Sequence, residues 1–568
     1  MALPGITDLK STMQTSKAEQ HLLGYLKEIR EESDTHKKRY APETDDEDAL
    51  NLYRGNYRPH GRDNYFSCDF IQTFIDRMVA QLTDNRPIIR IEHKKSGLKD
   101  TATALEKVIQ AVWLESQMQR QAFKMCHNAA VRRSAGLYIG YDAACDDIYL
   151  EMLTKDQVWF DPQVKEAALL NKGEYTIIKR VKPLDEIKSR FPGRGVAVKP
   201  DDISYTGSKS GSLIKGPITD MLKLGRQKGP SSIIPRACLY EAILQDRQVS
   251  ANGKKLFPFG RRVIYTDDLV LWDGPIPYWD GDSPVDWFDW AVDPEHFWGI
   301  SAPQQLKRLQ LGFNEILDGT VTNVALSNFL QIIMSNEAVD PAQWRNLQRI
   351  TNSLIVRKTS PNQQFEITPP PAFGMDKLLI AKSLFTYAQL LTGVTDVTLG
   401  EHPGSLQSGQ AISGLQEGAA LMTCARASRL EDFYGRVGAK LLARVLQFWT
   451  SDRVFHLLGP TGAALDYASN RAELFIDKDT NLPVPPEVRQ EALRHLRFAI
   501  LPGSSAPGSR NRRAEMMVKL NMLGAASRKA VLQAADFPDP DQMLQEAEAD
   551  FHKFPPPGFQ RVKGQGSP

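Results

Sequence analysis

Five of the nine tryptophans fall within residues 272–298: Trp272, Trp279, Trp287, Trp290 and Trp298. They are interleaved with Asp273, Asp280, Asp282, Asp286, Asp289 and Asp293. Aromatic platforms beside carboxylates suit a sugar site, where two carboxyl groups roughly 5–10 Å apart would cleave a glycosidic bond. The plainer reading is a loop-rich segment pinned to a sheet by large aromatics, each burying roughly 150–250 Å². Other enzyme signatures are missing from the sequence: no Walker A loop, G-x-G-x-x-G, G-x-S-x-G or H-E-x-x-H. The stretch Gly207-Ser208-Lys209-Ser210-Gly211 has Lys where a nucleophile elbow needs Ser. The five cysteines are widely spaced, with no C-x-x-C, so neither a zinc site nor a disulfide framework is expected. Ten histidines stand singly. No metal or cofactor is implied.

At 568 residues the chain is long for one core. Its 42% apolar and 24% charged residues are ordinary globular usage. The most apolar run, Val321 to Met334, is interrupted by Thr322, Asn323, Ser327, Asn328 and Gln331, so no membrane span is expected. The first residues, MALPGITDLK, lack the basic and apolar regions of a signal peptide, which points to a cytoplasmic site of synthesis and assembly. Seventy Lys and Arg face 68 Asp and Glu. A protein built to grip nucleic acid carries a clear basic excess, because affinity comes from neutralising phosphates; this chain does not.

Residues 15–40 carry a helical stripe (Leu22, Leu23, Leu26, Ile29), and Thr44 or Asp45 is a candidate cap for the next helix. Further helices are expected at 68–84 and, as one long rod, at 99–133. From Gly136 to about 300 the pattern is strands and loops, including 137–141, 148–152, 175–178, 237–245 and 262–265, with Asn252-Gly253 as a hairpin turn. Residues 192–235, rich in Gly, Ser, Lys and Pro, read as a mobile insertion with no assigned role. After Pro303 the chain turns helical. A small α/β module at 329–372 (strands 329–334 and 354–357, helix 341–350) sits between two helices, the second at about 374–392. A Gly/Ser/Pro loop follows, then the longest helix, about 408–450. Gly409, Gly414 and Gly418 lie in its first turns, where each weakens a helix by about 1 kcal/mol relative to Ala. They allow either a hinge or close packing. Short strands at 453–457 and 472–476, a helix at 486–496, a Pro/Gly/Ser linker at 502–508, helices at 509–523, 526–535 and 540–552, and a low-complexity tail complete the chain.

This order resembles the portal, or head-to-tail connector, protein of tailed bacteriophages, particularly the short-tailed type. The stretches that carry the resemblance are Leu52-Tyr53-Arg54-Gly55-Asn56-Tyr57 with Asn85-Arg86-Pro87, Asp293 to Ser301, Gly393-Val394-Thr395 through Ser408 to Ile412, and Leu501 to Ser505. The resemblance implies an α+β, helix-rich subunit with a wing (1–302), a stem helix (303–328), a clip (329–372), a second stem helix (373–392), a tunnel loop (393–408), a long kinked helix with the rest of the wing (409–504) and a crown with the C-terminal tail (505–568). It implies a structural protein rather than an enzyme. Twelve copies would form a ring at one capsid vertex of the virion and pass double-stranded DNA. Its partners would be the terminase large subunit, a tail adaptor, and the major capsid and scaffolding proteins, with no membrane.

Candidate site residues follow from that assignment. The tunnel loop would use Gly393, Asp396, Gly400, Glu401, His402, Pro403, Gly404 and Ser405. The clip's partner surface would use Trp344, Arg345, Arg349, Arg357 and Lys358, and the helix hinge Gly409, Gly414 and Gly418. The charge pattern agrees. Across 303–372, six basic residues (Lys307, Arg308, Arg345, Arg349, Arg357, Lys358) meet five acidic ones (Glu315, Asp318, Glu337, Asp340, Glu366), a nearly neutral wall along which DNA could slide. The competing reading is a carbohydrate-active enzyme built on 272–298.

Overall fold

The computed structural model describes residues 17–57, 65–84, 86–94, 99–201, 234–247, 255–327, 330–335, 353–358, 366–368, 375–394, 409–449, 454–458, 464–468, 484–501 and 509–525, with a few single positions beyond. It is a mixed helix-and-sheet chain. The helices are α1 (Lys17–Tyr40), α2 (Glu43–Tyr53), α3 (Ile71–Thr83), α4 (Lys99–Glu115), α5 (Met118–Arg132), α6 (Leu184–Arg190), α7 (Ala302–Ser327), α8 (Met375–Thr392), α9 (Gly409–Phe448), α10 (Pro486–His495) and α11 (Ser509–Met522).

Five strands, β4 (Val158–Phe160), β5 (Tyr175–Pro183), β6 (Arg236–Leu244), β7 (Arg261–Tyr265) and β8 (Val270–Pro275), form an antiparallel sheet in sequence order. One face takes α1, whose Leu22, Leu23, Leu26 and Ile29 pack on Ile177, Tyr240 and Tyr265. The other takes Leu184 and Ile187 of α6. The expected hairpin turn at 252–253 lies outside the described residues, but its flanking strands β6 and β7 pair antiparallel as such a turn requires. A second sheet places β2 (Ser134–Asp142) between β3 (Asp147–Thr154) and β9 (Val285–Asp289). The largest core forms where α3, α4 and α5 meet α9 and this sheet, through Phe74, Leu105, Val108, Ile109, Phe433, Val437 and Leu441.

The rod expected at 99–133 is two helices. Gln117 is left-handed, at φ 51°, and divides α4 from α5. Carrying the α4 stripe of Leu105, Val108, Ile109 and Val112 onward would turn Ser116, Gln119 and Phe123 inward. The turn at Gln117 resets the phase, burying Met118, Ala122 and Met125 and leaving Phe123 44% exposed. The cap expected at Thr44 or Asp45 is also corrected. The helix begins at Glu43 after Pro42, with no side-chain cap bond. Asp45 and Asp46 instead reach Arg133, and Asp46 also pairs with the buried Lys155.

The inserted module contains β10 (Leu330–Ser335), parallel to β11 (Ser353–Lys358) and antiparallel to β12 (Glu366–Thr368). The helix expected at 341–350 lies outside the described residues. So do the insertion core at 202–233, the strand expected at 472–476 and nearly all of 526–552. Strand β13 (Val454–Leu458) pairs with β14 (Ala464–Ala468), which the sequence reading had not assigned. Nor had it assigned β15 (Leu496–Ile500), which pairs antiparallel with β1 (Ile89–His93).

Strand β15 lies on α9 at Gly438. A Cβ there would stand 2.1 Å from the Phe498 ring, so only glycine admits this approach. Replacing Gly438 with Ala must displace Phe498 from α9. Thermal or urea unfolding of Gly438→Ala is expected to show a loss of about 1–3 kcal/mol; an unchanged midpoint would mean that β15 moves freely.

Candidate functional site

The tryptophan–aspartate segment divides between core and anchor. Trp287, Trp290 and Trp298 are buried. Trp287 and Trp298 stand in a cluster with Phe160 and Phe297, at ring separations of 4.8–6.4 Å. Indoles inside a core offer no face to a sugar. Three of its six aspartates, Asp273, Asp280 and Asp286, are taken by cations. Asp273 receives two hydrogen bonds from the buried Arg261, at 2.8 and 2.7 Å. Asp286 accepts from Arg436 at 2.7 Å and pairs with Lys440 at 2.8 Å. Asp280 accepts from Arg444 at 2.6 Å. These are structural ion pairs, and the sugar-site expectation gains nothing from them.

The three cations Arg436, Lys440 and Arg444 recur every four residues on α9, so they share one face. Arg444 is fully buried, its guanidinium 3.5 Å from the centre of the Tyr278 ring. Beyond them Arg489 of α10 closes the helix end, donating to the carbonyls of Leu446 at 3.0 Å and Trp449 at 3.4 Å. A cation there satisfies carbonyls that the helix itself leaves unpaired.

Helix α7 is positioned by a polar ladder that sequence reasoning missed. Gln310, Asn314 and Asp318 also recur every four residues, on α7. Their oxygens accept the backbone N–H groups of Phe70 (3.1 Å), Cys68 (3.1 Å) and Phe66 (2.9 Å). Gln310 donates to the Cys68 carbonyl and Asn314 to Asp69. Buried polar groups require partners, and polar residues at i, i+4 and i+8 beside the apolar stripe of α7 were the available signal. Around them Phe70, Phe74, Phe313 and Phe385 knit α3, α7 and α8 together.

Helix α8 turns Ala381, Ala388, Gln389 and Thr392 inward, yet its outer surface is also apolar. Leu379, Ile380, Tyr387, Leu390 and Leu391 are each more than half exposed. Gly393 ends the helix, at φ 75° with its N–H on the Gln389 carbonyl at 2.8 Å, a left-handed stop that glycine adopts without strain. The other expected tunnel-loop residues, Asp396, Gly400, Glu401, His402, Pro403, Gly404 and Ser405, lie outside the described residues, as do Trp344, Arg345 and Arg349. Arg357 and Lys358 end β11, opposite Met334 and Ser335 of β10. Gly409, Gly414 and Gly418 belong to one uninterrupted run of α9, a helix of 40 residues and about 60 Å.

A family model described as phage P22-like portal protein matches residues 258–560, more than half of the chain. The chain belongs to that family. No curated protein matches it. It is therefore a bacteriophage portal, or head-to-tail connector, protein, a structural component of the virion capsid used in DNA packaging. The matched region contains α7, α8, the inserted module and all of α9. Among the described residues no helix of this portal protein is long and apolar enough to cross a membrane, and no cluster of three His, Cys, Asp or Glu could hold a metal.

Burial acts on Asp282, whose pKa it raises, and most strongly on Asp289. Asp289, at the end of β9, is buried, and its Oδ1 has no hydrogen-bond partner. Burial raises its pKa from 3.8 to about 7, against the pull of Arg429 and Arg436. An acid whose folded-state pKa is raised takes up protons on folding, so its ionisation destabilises the fold as pH rises from about 4 to about 7. Asp289→Asn removes that term. Relative to the parent, the variant is expected to gain stability at pH 8, by up to about 4 kcal/mol for roughly three pKa units, and to gain little near pH 4. Urea unfolding at the two pH values measures this; an equal effect at both would remove the assignment.

Proposed function

We propose that this portal subunit assembles through its stem into a ring, of twelve copies by the family resemblance, at one capsid vertex. The lumen passes double-stranded DNA inward during packaging and outward at ejection. In this reading residues 1–302 and 409–504 form the wing with the long helix, α7 and α8 the stem, 329–372 the clip, 393–408 the tunnel loop and 505–568 the crown. The clip docks the terminase and later a tail adaptor, with Trp344, Arg345, Arg349, Arg357 and Lys358 as its partner surface. The wing meets the capsid and scaffolding proteins.

The outer face of α8 carries this reading. Helix α8 carries an apolar arc on its outer side as well as its inner one, with its exposed Lys377 and Lys382 between them, and an outer apolar arc suits an assembly. Contiguous exposed apolar surface on a soluble chain marks an interaction site. Leu379, Ile380, Tyr387, Leu390 and Leu391 supply such a surface on a stem helix, the element a neighbouring copy would cover. Replacing Leu379 and Leu390 together by Glu leaves the subunit core untouched, because both side chains are already exposed. The variant is expected to stay folded by circular dichroism while rings disappear from electron micrographs and mass photometry. Rings of normal size and yield would defeat the stem-interface assignment.

The loop after Gly393 contributes little charge, only Asp396 and Glu401 beside His402, so its contact with DNA would be steric and water-mediated. Deleting 396–405 is expected to leave rings intact and to impair late packaging or retention of DNA in filled heads. Normal retention would remove the loop from the DNA path.

A further inference from the structure

A cleft of about 190 Å³ opens between the short 3₁₀ helix Ala167–Lys172, the end of β9 and α9. Ala167, Ala168, Val292 and Trp287 give it apolar walls. Its volume is below the roughly 300–1,000 Å³ of sites that take drug-sized ligands, so it has room for one narrow chain. Five charged residues also line it: Glu166, Asp289, Arg429, Asp432 and Arg436.

Their charges do not balance. Asp289 is the innermost carboxylate, 8% exposed, and its Oδ1 is buried with no hydrogen-bond partner among the described residues. Glu166 and Asp432 are exposed at the rim, and neither makes an ion pair among the described residues. Arg436 is already committed, to Asp286 at 2.7 Å and to the Trp287 carbonyl at 3.0 Å. Arg429 donates from Nε to the Ala425 carbonyl at 3.4 Å and makes no ion pair with Asp289. Three carboxylates therefore face one uncommitted cation. An anion entering the cleft would meet all three, whereas a cation would relieve them.

A buried carboxyl oxygen without a donor is costly. A cation brought to it supplies both the missing hydrogen bond and the opposing charge. The raised pKa of Asp289 agrees with this, because burial favours the protonated acid until such a partner arrives. The exposed Glu166 and Asp432 place a second negative centre at the mouth, with apolar wall between it and Asp289. Two negative centres joined by an apolar wall match two cations joined by methylene groups. A lysine side chain would bring only the inner cation.

We propose that this cleft binds a linear aliphatic diamine. One ammonium donates to Asp289 Oδ1, the methylene chain lies along Ala167, Ala168 and Val292, and the second ammonium stays at the rim with Glu166 and Asp432. When Asp289 is protonated, binding releases that proton to the solvent. The proposal is independent of the ring and channel reading.

The test is calorimetric titration of the full-length protein with cadaverine at pH 8 and fixed ionic strength. Saturable binding of about one diamine per chain is expected. Asp289→Asn, nearly isosteric and checked for folding by circular dichroism, should bind at least about ten-fold more weakly. In the parent, affinity should fall about ten-fold from pH 8 to pH 6, because an acid with a pKa of about 7 is roughly nine-tenths protonated at pH 6. Buffers of different ionisation enthalpy should then report up to about one proton released per diamine. Pentylamine, with one cation, should bind at least about three-fold more weakly than cadaverine, and Glu166→Gln/Asp432→Asn should erase that difference. No saturable binding, equal affinity in Asp289→Asn, equal affinity at the two pH values, or equal binding of pentylamine would each overturn the assignment.

Discussion

A long helix studded with cations can enter a protein core only where anions wait for it, and α9 is such a helix. Arg436, Lys440 and Arg444 lie on one face, with Lys440 and Arg444 buried, and Asp286 and Asp280 meet them. Removing one partner of a buried ion pair typically costs about 3–5 kcal/mol, because the other charge is left desolvated. Sliding α9 by one turn along β9 would unpair more than one of these contacts at once. The charges therefore set the axial register of the helix, while its apolar residues Phe433, Val437 and Leu441 supply the burial. Every element that packs on α9, from α3 and α4 to β15, takes its place from that register.

Helix α7 is held by a different device with the same spacing. Gln310, Asn314 and Asp318 receive the backbone N–H groups just ahead of α3, so α7 is docked by directional bonds on one side and by aromatic packing on another. With that side fixed, α8 lies against α7 and the leucine-rich outer surface of α8 is left facing outward. Anchoring this helix pair on one side and leaving it apolar on the other suits a subunit completed by its neighbours.

Much of this was legible in the sequence, and the limits have physical causes. Amphipathic stripes announced α1, α3, α7 and α9, because each buries one face, and β-rich runs bounded by turn residues announced β2, β3 and β5. The break at Gln117 escaped because no Gly or Pro marks it; only a one-residue slip in the apolar stripe does. Strand β15 escaped because Leu496-Arg497-Phe498-Ala499-Ile500 follows α10 without a turn residue, although its alternation was there to be read. The tryptophan–aspartate segment was legible in its plainer form, as aromatics pinned to a sheet. Asp280 and Asp286 could be assigned only once α9 had brought its cations across 150 or more residues of sequence. The clip helix and most tunnel-loop residues remain expectations of the resemblance.

The extent of the family match bears on how the fold is built. It begins at Pro258, between β6 and β7. Yet β7 pairs with β6, β9 pairs with β2 and β15 pairs with β1, so three strands of the matched region are hydrogen-bonded to strands that precede it. The matched part is therefore not a unit that closes on itself. Its edges are completed by the first 257 residues, through backbone bonds that depend on register and not on side-chain identity. Such a boundary is held by strand order and register, whereas the seating of α9 depends on the aspartates that hold it. In this chain those aspartates, Asp280 and Asp286, lie on the matched side, together with the helix they anchor.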